Sequence, residues 1–167
     1  MVSKLLILRK ATLEDLGEIT DIYNYAIKNL TATFDEKEKT LEDRRAWFES
    51  HQVDKYPLIV AEEEGEILGW GSISLFRERP AYRFTGETSI YVRKGFQGQG
   101  VGTRILKKLI DLTRESDLHT LVALIADGNE ASIRLHANLG FQIVGQVQEV
   151  GYKFEDWVNV LLMQKIL

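Results

Sequence analysis

The run that most restricts what this chain can fold into is Ser89–Leu109, Ser-Ile-Tyr-Val-Arg-Lys-Gly-Phe-Gln-Gly-Gln-Gly-Val-Gly-Thr-Arg-Ile-Leu-Lys-Lys-Leu. A short apolar strand, Ile90–Val92, enters a loop holding Gly95, Gly98, Gly100 and Gly102. A helical pattern follows at once, with Ile105, Leu106, Leu109, Ile110 and Leu112 spaced for one buried face. Strand, glycine loop and helix have the layout of a phosphate cradle, or of a glycine-rich turn before an ordinary core helix. Glycine lets the backbone approach a ligand closely, and the first-turn N–H groups of a helix have no internal partner. Those groups and the helix dipole both favour an anion.

Two familiar phosphate motifs do not fit. A P-loop ends in Gly-Lys-Ser/Thr, whereas Gly102 is followed directly by Thr103. The dinucleotide fingerprint starting at Gly98 and Gly100 needs a third glycine at position 103, which is Thr. The spacing that does fit is Gln-x-x-Gly-x-Gly, met by Gln97, Gly100 and Gly102.

The rest of the sequence sets the class around that cradle. The 167 residues suit one domain spanning 1–167 with a real core, and no repeat, low-complexity tract or linker divides them. A net charge of −4 argues against a non-specific nucleic-acid or anionic-membrane binder. With no cysteine there is no disulfide framework, thiolate metal site or cysteine nucleophile. No Cys/His/Asp cluster has metal-ligand spacing, so no metal is expected. The apolar run within Met1–Arg9 is too short for a signal peptide or a spanning helix, which points to a cytoplasmic protein.

Taken in order, Leu5–Leu8 reads as a first strand. Thr12-Leu13-Glu14-Asp15 and Thr40-Leu41-Glu42-Asp43 each open a helix, the first reaching Leu30 and the second passing Trp47 and Phe48. The loop between them, Thr31–Glu36, either covers a ligand, with Phe34 lining it, or is a plain connection. Leu58–Ala61 and Ile67–Leu75 make a hairpin, and Gly69 and Gly71 around Trp70 suggest a bulge or close packing. Thr120–Ala126 is apolar throughout and reads as a strand covered on both faces. Asp127–Ser132 turns into a helix that Gly140 caps, and Phe141–Val150 and Trp157–Ile166 are closing strands. His51 and His119 read as surface or helix-end residues without partners.

Three places carry candidate chemistry. Arg77, Arg79 and Arg83 crowd one loop and have the donor geometry for a carboxylate. That loop runs into Thr85–Val92, where Glu87 stands among Thr88, Ser89 and β-branched or aromatic neighbours. A carboxylate there faces either a pocket or water at a sheet edge. In a pocket its pKa rises, which makes it a usable general base. The third place is Asn129-x-x-Ser132 leading to Leu135-His136-x-x-Leu139-Gly140-Phe141.

Glu87, the Gln97-x-x-Gly100-x-Gly102 loop and the Asn129–Phe141 segment, in this order, resemble the GCN5-related N-acetyltransferase (GNAT) superfamily over essentially the whole chain. Finer matches resemble its phosphinothricin and methionine-sulfoximine N-acetyltransferase group: Ile7–Thr12, Ile22-Tyr23-Asn24, Tyr56-Pro57, Thr85-x-Glu87-x-Ser89-x-Tyr91-Val92 and Val150-Gly151-x-Lys153-Phe154-x-x-Trp157. The resemblance implies an α/β fold with a mixed, mostly antiparallel sheet of about seven strands, splayed at the cofactor site, and four helices on its two faces. It implies acetyl-CoA as donor, the α-amine of a small amino-acid analogue as acceptor, and a homodimer.

By the same resemblance, pantetheine would lie along Ile90, Tyr91 and Val92. The pyrophosphate would lie on the loop of Gln97, at Gly98, Gln99, Gly100, Val101, Gly102 and Thr103, with Asn129 and Asn138 towards the far end. The acceptor would meet Arg77, Glu78, Arg79 and Arg83 on one side and Glu87, Thr88 and Ser89 on the other, with Phe34 and Lys153 nearby. Glu87 would be the base, and His136 either the acid that protonates the leaving thiolate or a packing residue. Two alternatives share the expected fold: acetylation of a peptide or other amine, and a CoA-binding sensor without catalysis.

Overall fold

The computed structural model describes residues 5–167; residues 1–4, where the short apolar N-terminal run begins, lie outside the described residues. Seven strands make one sheet: β1 (Ile7–Lys10), β2 (Leu58–Glu63), β3 (Glu66–Leu75), β4 (Thr85–Val92), β5 (Thr120–Ala126), β6 (Gln142–Lys153) and β7 (Asp156–Ile166). Their spatial order is β1-β2-β3-β4-β5-β7-β6, and every neighbouring pair is antiparallel except β4–β5. Four helices complete the fold: α1 (Leu16–Asn29), α2 (Leu41–Ser50), α3 (Val101–Arg114) and α4 (Glu130–Asn138).

Alternation in the strands builds two cores. Leu58 and Val60 of β2 join Leu16, Ile19, Ile22, Phe48 and Trp70 beneath α1 and α2. Ile59 and Ala61, the residues between and after them, join Ile105, Leu106 and Leu109 of α3 on the other face. The glycines flanking Trp70 serve both suggested purposes. A bulge leaves Leu68 as an extra residue opposite Ala61 and Glu62. A side chain at Gly71 would run into Ile105, and one at Gly69 would come within 2.9 Å of the Tyr91 carbonyl, so α3 packs closely there.

Some boundaries and environments differ from the sequence reading. The first strand begins at Ile7, because Leu6 turns into the core and pairing with β2 starts at Ile7↔Glu62. A 3₁₀ turn, Leu13–Asp15, precedes α1, and Asp15 is held by both guanidinium nitrogens of Arg9 at 2.8 Å. His51 does end a helix, but it is buried and partnered. It bonds the Trp47 carbonyl through Nδ1 (2.8 Å) and Ser74 Oγ through Nε2 (2.9 Å). Its ring also packs on Trp47. His119 is exposed.

Strand β4 decides where a site can form. It pairs with β3 over seven residues, Val92 to Gly86, but with β5 only over Thr85–Glu87. Beyond Glu87 the two strands part, so β4 lies inside the sheet yet leaves one backbone edge open from Thr88 to Val92.

Candidate active site

A cleft of about 330 Å³ opens where β4 and β5 separate. Glu87, Thr88, Ser89, Ile90 and Tyr91 line it from β4, and Ala123–Ala126 from β5. Asn129 and Ser132 come from the start of α4 and His136 from its last turn, while Tyr23 and the stretch Thr31–Phe34 close the remaining side. Of the residues singled out in the sequence, Phe34, Glu87, Thr88, Ser89, Ile90, Tyr91, Asn129 and His136 share this cleft.

Glu87 is half-buried, and burial raises its carboxyl pKa above the ordinary value; the Arg77 charge opposes this in part. Arg77 stacks on Phe76 and donates to that residue's carbonyl. Thr88, one residue on, points to the opposite face and is buried against α4.

The His136 ring is fixed at both nitrogens. Nδ1 lies 2.8 Å from the Ser132 carbonyl, which can only accept, so Nδ1 carries the proton. Nε2 therefore accepts from the Thr88 hydroxyl at 3.1 Å. Burial lowers the imidazole pKa, which favours the neutral ring. The end of α4 holds the ring in place. Phe141 N–H returns to the His136 carbonyl and Gly140 N–H to that of Ala137, a Schellman ending with Gly140 at φ 87°. The Phe141 ring then meets the imidazole edge to face at 4.9 Å.

Beyond the open edge of β4 lies the glycine loop. Gly98 and Gly100 have φ of 75° and 82°, and an added Cβ would meet nothing at either, so backbone twist rather than crowding calls for glycine. Gly102 is the reverse case: a Cβ there would stand 2.8 Å from Leu135, so its absence lets α3 and α4 approach. Gln97 braces the loop, accepting from Gly95 N–H (2.8 Å) and donating to the Val92 carbonyl (3.3 Å). Val101 begins α3, and Gly98, Gln99, Gly100 and Thr103 are exposed around its start. An open strand edge leading to an open helix N-terminus fits an extended amide chain ending in a pyrophosphate.

Several sequence candidates stand elsewhere. Arg77, Glu78, Arg79 and Arg83 are exposed on the loop before β4 and do not line the cleft; Arg83 lies on Phe84 and bonds the Pro80 carbonyl. Asn138 is exposed at the far end of α4. Lys153 is buried outside the cleft lining, with its ammonium on the Leu30 and Thr33 carbonyls. The cleft also takes in Thr31–Thr33 and Ser132, from segments the sequence had marked, and the structure adds Tyr23, Ala123–Ala126 and Val160, which no motif marked as site residues. Among the described residues, no group of three His, Asp or Glu could hold a metal, and no helix is long and apolar enough to cross a membrane.

Residues 19–141 match the family model described as the acetyltransferase (GNAT) family. The chain is 39% identical to the L-methionine sulfoximine/L-methionine sulfone acetyltransferase of Salmonella typhimurium, covering 94% of this chain and 92% of that one. A GNAT superfamily phosphinothricin acetyltransferase from Sinorhizobium meliloti, solved in complex with acetyl-CoA, superposes with a TM-score of 0.94 at 33% identity, covering 97% of this chain and 88% of that one. The ribosomal-protein-alanine N-acetyltransferase of Brucella melitensis also reaches a TM-score of 0.94, at 41% identity, covering 97% of this chain and all of that one.

Proposed function

The chain belongs to the acetyltransferase (GNAT) family, and from that premise we propose that it moves the acetyl group of acetyl-CoA to the α-amine of a small amino-acid analogue of the methionine sulfoximine, methionine sulfone or phosphinothricin type. The carrying observation is Glu87, half-buried on the cleft at the point where β4 parts from β5. The whole chain is read as one domain.

Acetyl-CoA supplies an activated acyl carbon as a thioester. Backbone groups of Ile90–Val92 hold its amide arm, and Gly98–Thr103 with the N-terminus of α3 take its pyrophosphate. The acceptor amine arrives as an ammonium ion and must lose a proton before it can attack. Glu87 takes that proton, directly or through a water, and its raised pKa suits the task. The amine nitrogen bonds the acetyl carbon as that carbon's bond to sulfur breaks, CoA leaves as a thiolate that takes a proton from water, and a free β4 N–H near Val92 would stabilise the charge gathering on the acetyl oxygen. His136 has no proton on the nitrogen it turns to Thr88, so it serves better to aim that hydroxyl than as the general acid. Arg77, nearest in charge to Glu87, meets the acceptor's acidic group as the substrate enters.

A second reading is acetylation of a peptide or protein amine, favoured by the likeness to the Brucella enzyme. A cleft of about 330 Å³ suits a small acceptor better. A thiol-release assay separates the two: acetyl-CoA is offered with methionine sulfoximine, methionine sulfone, phosphinothricin, the standard amino acids, polyamines and short peptides. Turnover with the first three is expected, and turnover confined to peptides would overturn the small-acceptor reading.

The same reading includes a cytoplasmic homodimer. Edge strand β6 and its partner β7 expose Ile143, Val144, Val147, Val150, Tyr152 and Trp157 on one hairpin, a density of apolar surface that monomers avoid. Sedimentation equilibrium should give twice the 19.1 kDa chain mass, and a 19.1 kDa species would remove this part of the reading.

A further inference from the structure

We propose that Lys153 is a positioning residue for the acceptor: a latch that fixes the wall Thr31–Phe34 from the opposite end of the sequence. The inference rests on the acetyltransferase reading of the cleft.

Lys153 ends β6 and is 3% exposed. Its ammonium donates to the Leu30 carbonyl and the Thr33 carbonyl, both at 2.7 Å. Both bonds are charge-assisted and short. Leu30 is the C-cap of α1, so its carbonyl is one that the helix leaves unpartnered. A cation is favoured at that negative end of the helix dipole. The ammonium thus ties the end of α1 to the loop that lines the cleft. It fixes the peptide planes at Leu30–Thr31 and Thr33–Phe34, which bracket the cleft-lining stretch.

The hairpin makes a second contact with the same loop. Phe34 lies so close over Gly151 that any side chain there would strike its ring. From inside the molecule, Tyr91 Oη donates to the Ala32 carbonyl (3.2 Å), and Tyr23 Oη bonds Thr33 Oγ1 (2.9 Å) and Asp35 (2.6 Å). Tyr23 and Tyr91 pack edge to face, so these inner contacts form one rigid unit. Lys153 supplies the outer half of the clamp. None of these contacts reaches the glycine loop, and Tyr91 meets the wall through its side chain and not through the backbone that takes the amide arm, so the latch acts chiefly on the acceptor side.

The test compares Lys153→Met, which keeps the buried stem but removes the donors, with Lys153→Arg, which restores them. For Lys153→Met the acceptor KM should rise about tenfold or more, the worth of charge-assisted hydrogen bonds, with kcat within about threefold. Acetyl-CoA affinity by calorimetry should be unchanged. Amide hydrogen exchange should quicken at residues 30–36 and stay as it was in β4 and α3. Lys153→Arg should recover most of the acceptor KM.

Unchanged KM and unchanged exchange in a folded Lys153→Met protein would overturn the latch. So would a parallel loss of acetyl-CoA affinity, because the effect would then be general loosening. If the unmodified enzyme acetylates no acceptor in the panel, the functional reading fails on its own. The exchange pattern at residues 30–36 then still decides whether Lys153 holds the loop.

Discussion

The two loops that flank the cleft are built in opposite ways. The glycine loop is braced by its own neighbours: Gln97 bonds Gly95 and Val92, and Gln99 donates to the Gly95 carbonyl. No side-chain bond in that set spans more than five residues. The stretch Leu30–Asp35 has nearer bonds from Tyr23 but is also held from afar, by Tyr91 59 residues away and by Lys153 at 123 and 120 residues. A loop of the first kind is a local device that can be written as a motif. One of the second kind exists only once the sheet has closed. On the proposed reading the donor's site is local and the acceptor's is global, so the two should respond separately to mutation.

Glu87→Gln is the severest trial of that separation, because the residue stands between the loops. Turnover should fall by about 10²–10⁴, the usual range for a positioned general base, while acetyl-CoA and acceptor both still bind. In the unmodified enzyme, kcat/KM should fall as pH drops through a pKa above the ordinary carboxylate value of 4.5, since only ionised Glu87 accepts a proton. Full turnover in the glutamine variant would take Glu87 out of the chemistry and leave the cleft without its base.

Gly100→Val attacks the local loop. At φ 82° a β-branched residue is strained by about 1–2 kcal/mol, so acetyl-CoA should bind about tenfold more weakly. The acceptor KM, measured at saturating acetyl-CoA, should hold; if it rises in step, the two sites are not independent. Gly151→Ala attacks the global loop by pushing Phe34 aside, and there the acceptor KM should climb about three- to tenfold with acetyl-CoA affinity intact. Steady-state kinetics with each substrate varied in turn would expose any crossover.

The smallest effect concerns stability. Burial lowers the pKa of both His51 and His136 below the ordinary 6.5. The unfolded chain therefore takes up protons that the folded one resists. Stability should be full above pH 6.5 and decline as pH falls from there towards the lowered folded values. His51→Gln should flatten that decline without altering either KM. A thermal-melt series between pH 8 and pH 5 would measure the slope, and an unaltered slope would assign it to His136 or to carboxylates.

What could be read from the sequence follows the same division. The cores were legible because Leu58–Ala61 alternate between two covered faces and α3 keeps one apolar stripe. The glycine loop was legible because its restraints lie within a few residues of its glycines. Lys153 could be noticed but not understood, since no spacing links it to Leu30 or Thr33. His51 looked solitary because its partner Ser74 lies on another element, and only the approach of α2 to β3 brings them together. The arginine loop has by composition the makings of a substrate grip or of a solvated charged loop; Arg77 and Arg83 stack on Phe76 and Phe84 and stay exposed.

The early parting of β4 from β5 places an unusual demand on β4's other neighbour. With three rungs on one side and seven on the other, alignment to β3 alone decides which side chains face which way along the open stretch. Glu87, Ser89 and Tyr91 look towards α1 and α2, while Thr88, Ile90 and Val92 look towards α3 and α4. Sliding β4 by a single residue would exchange those two sets. Slid one way, the carboxylate would be buried against His136 with Gly86 in its former place; slid the other way, the Thr88 hydroxyl would take that place, with no atom of the composition changed. The Trp70–Tyr91 stack at 4.8 Å, across the β3–β4 pair, is therefore part of what keeps Glu87 in phase.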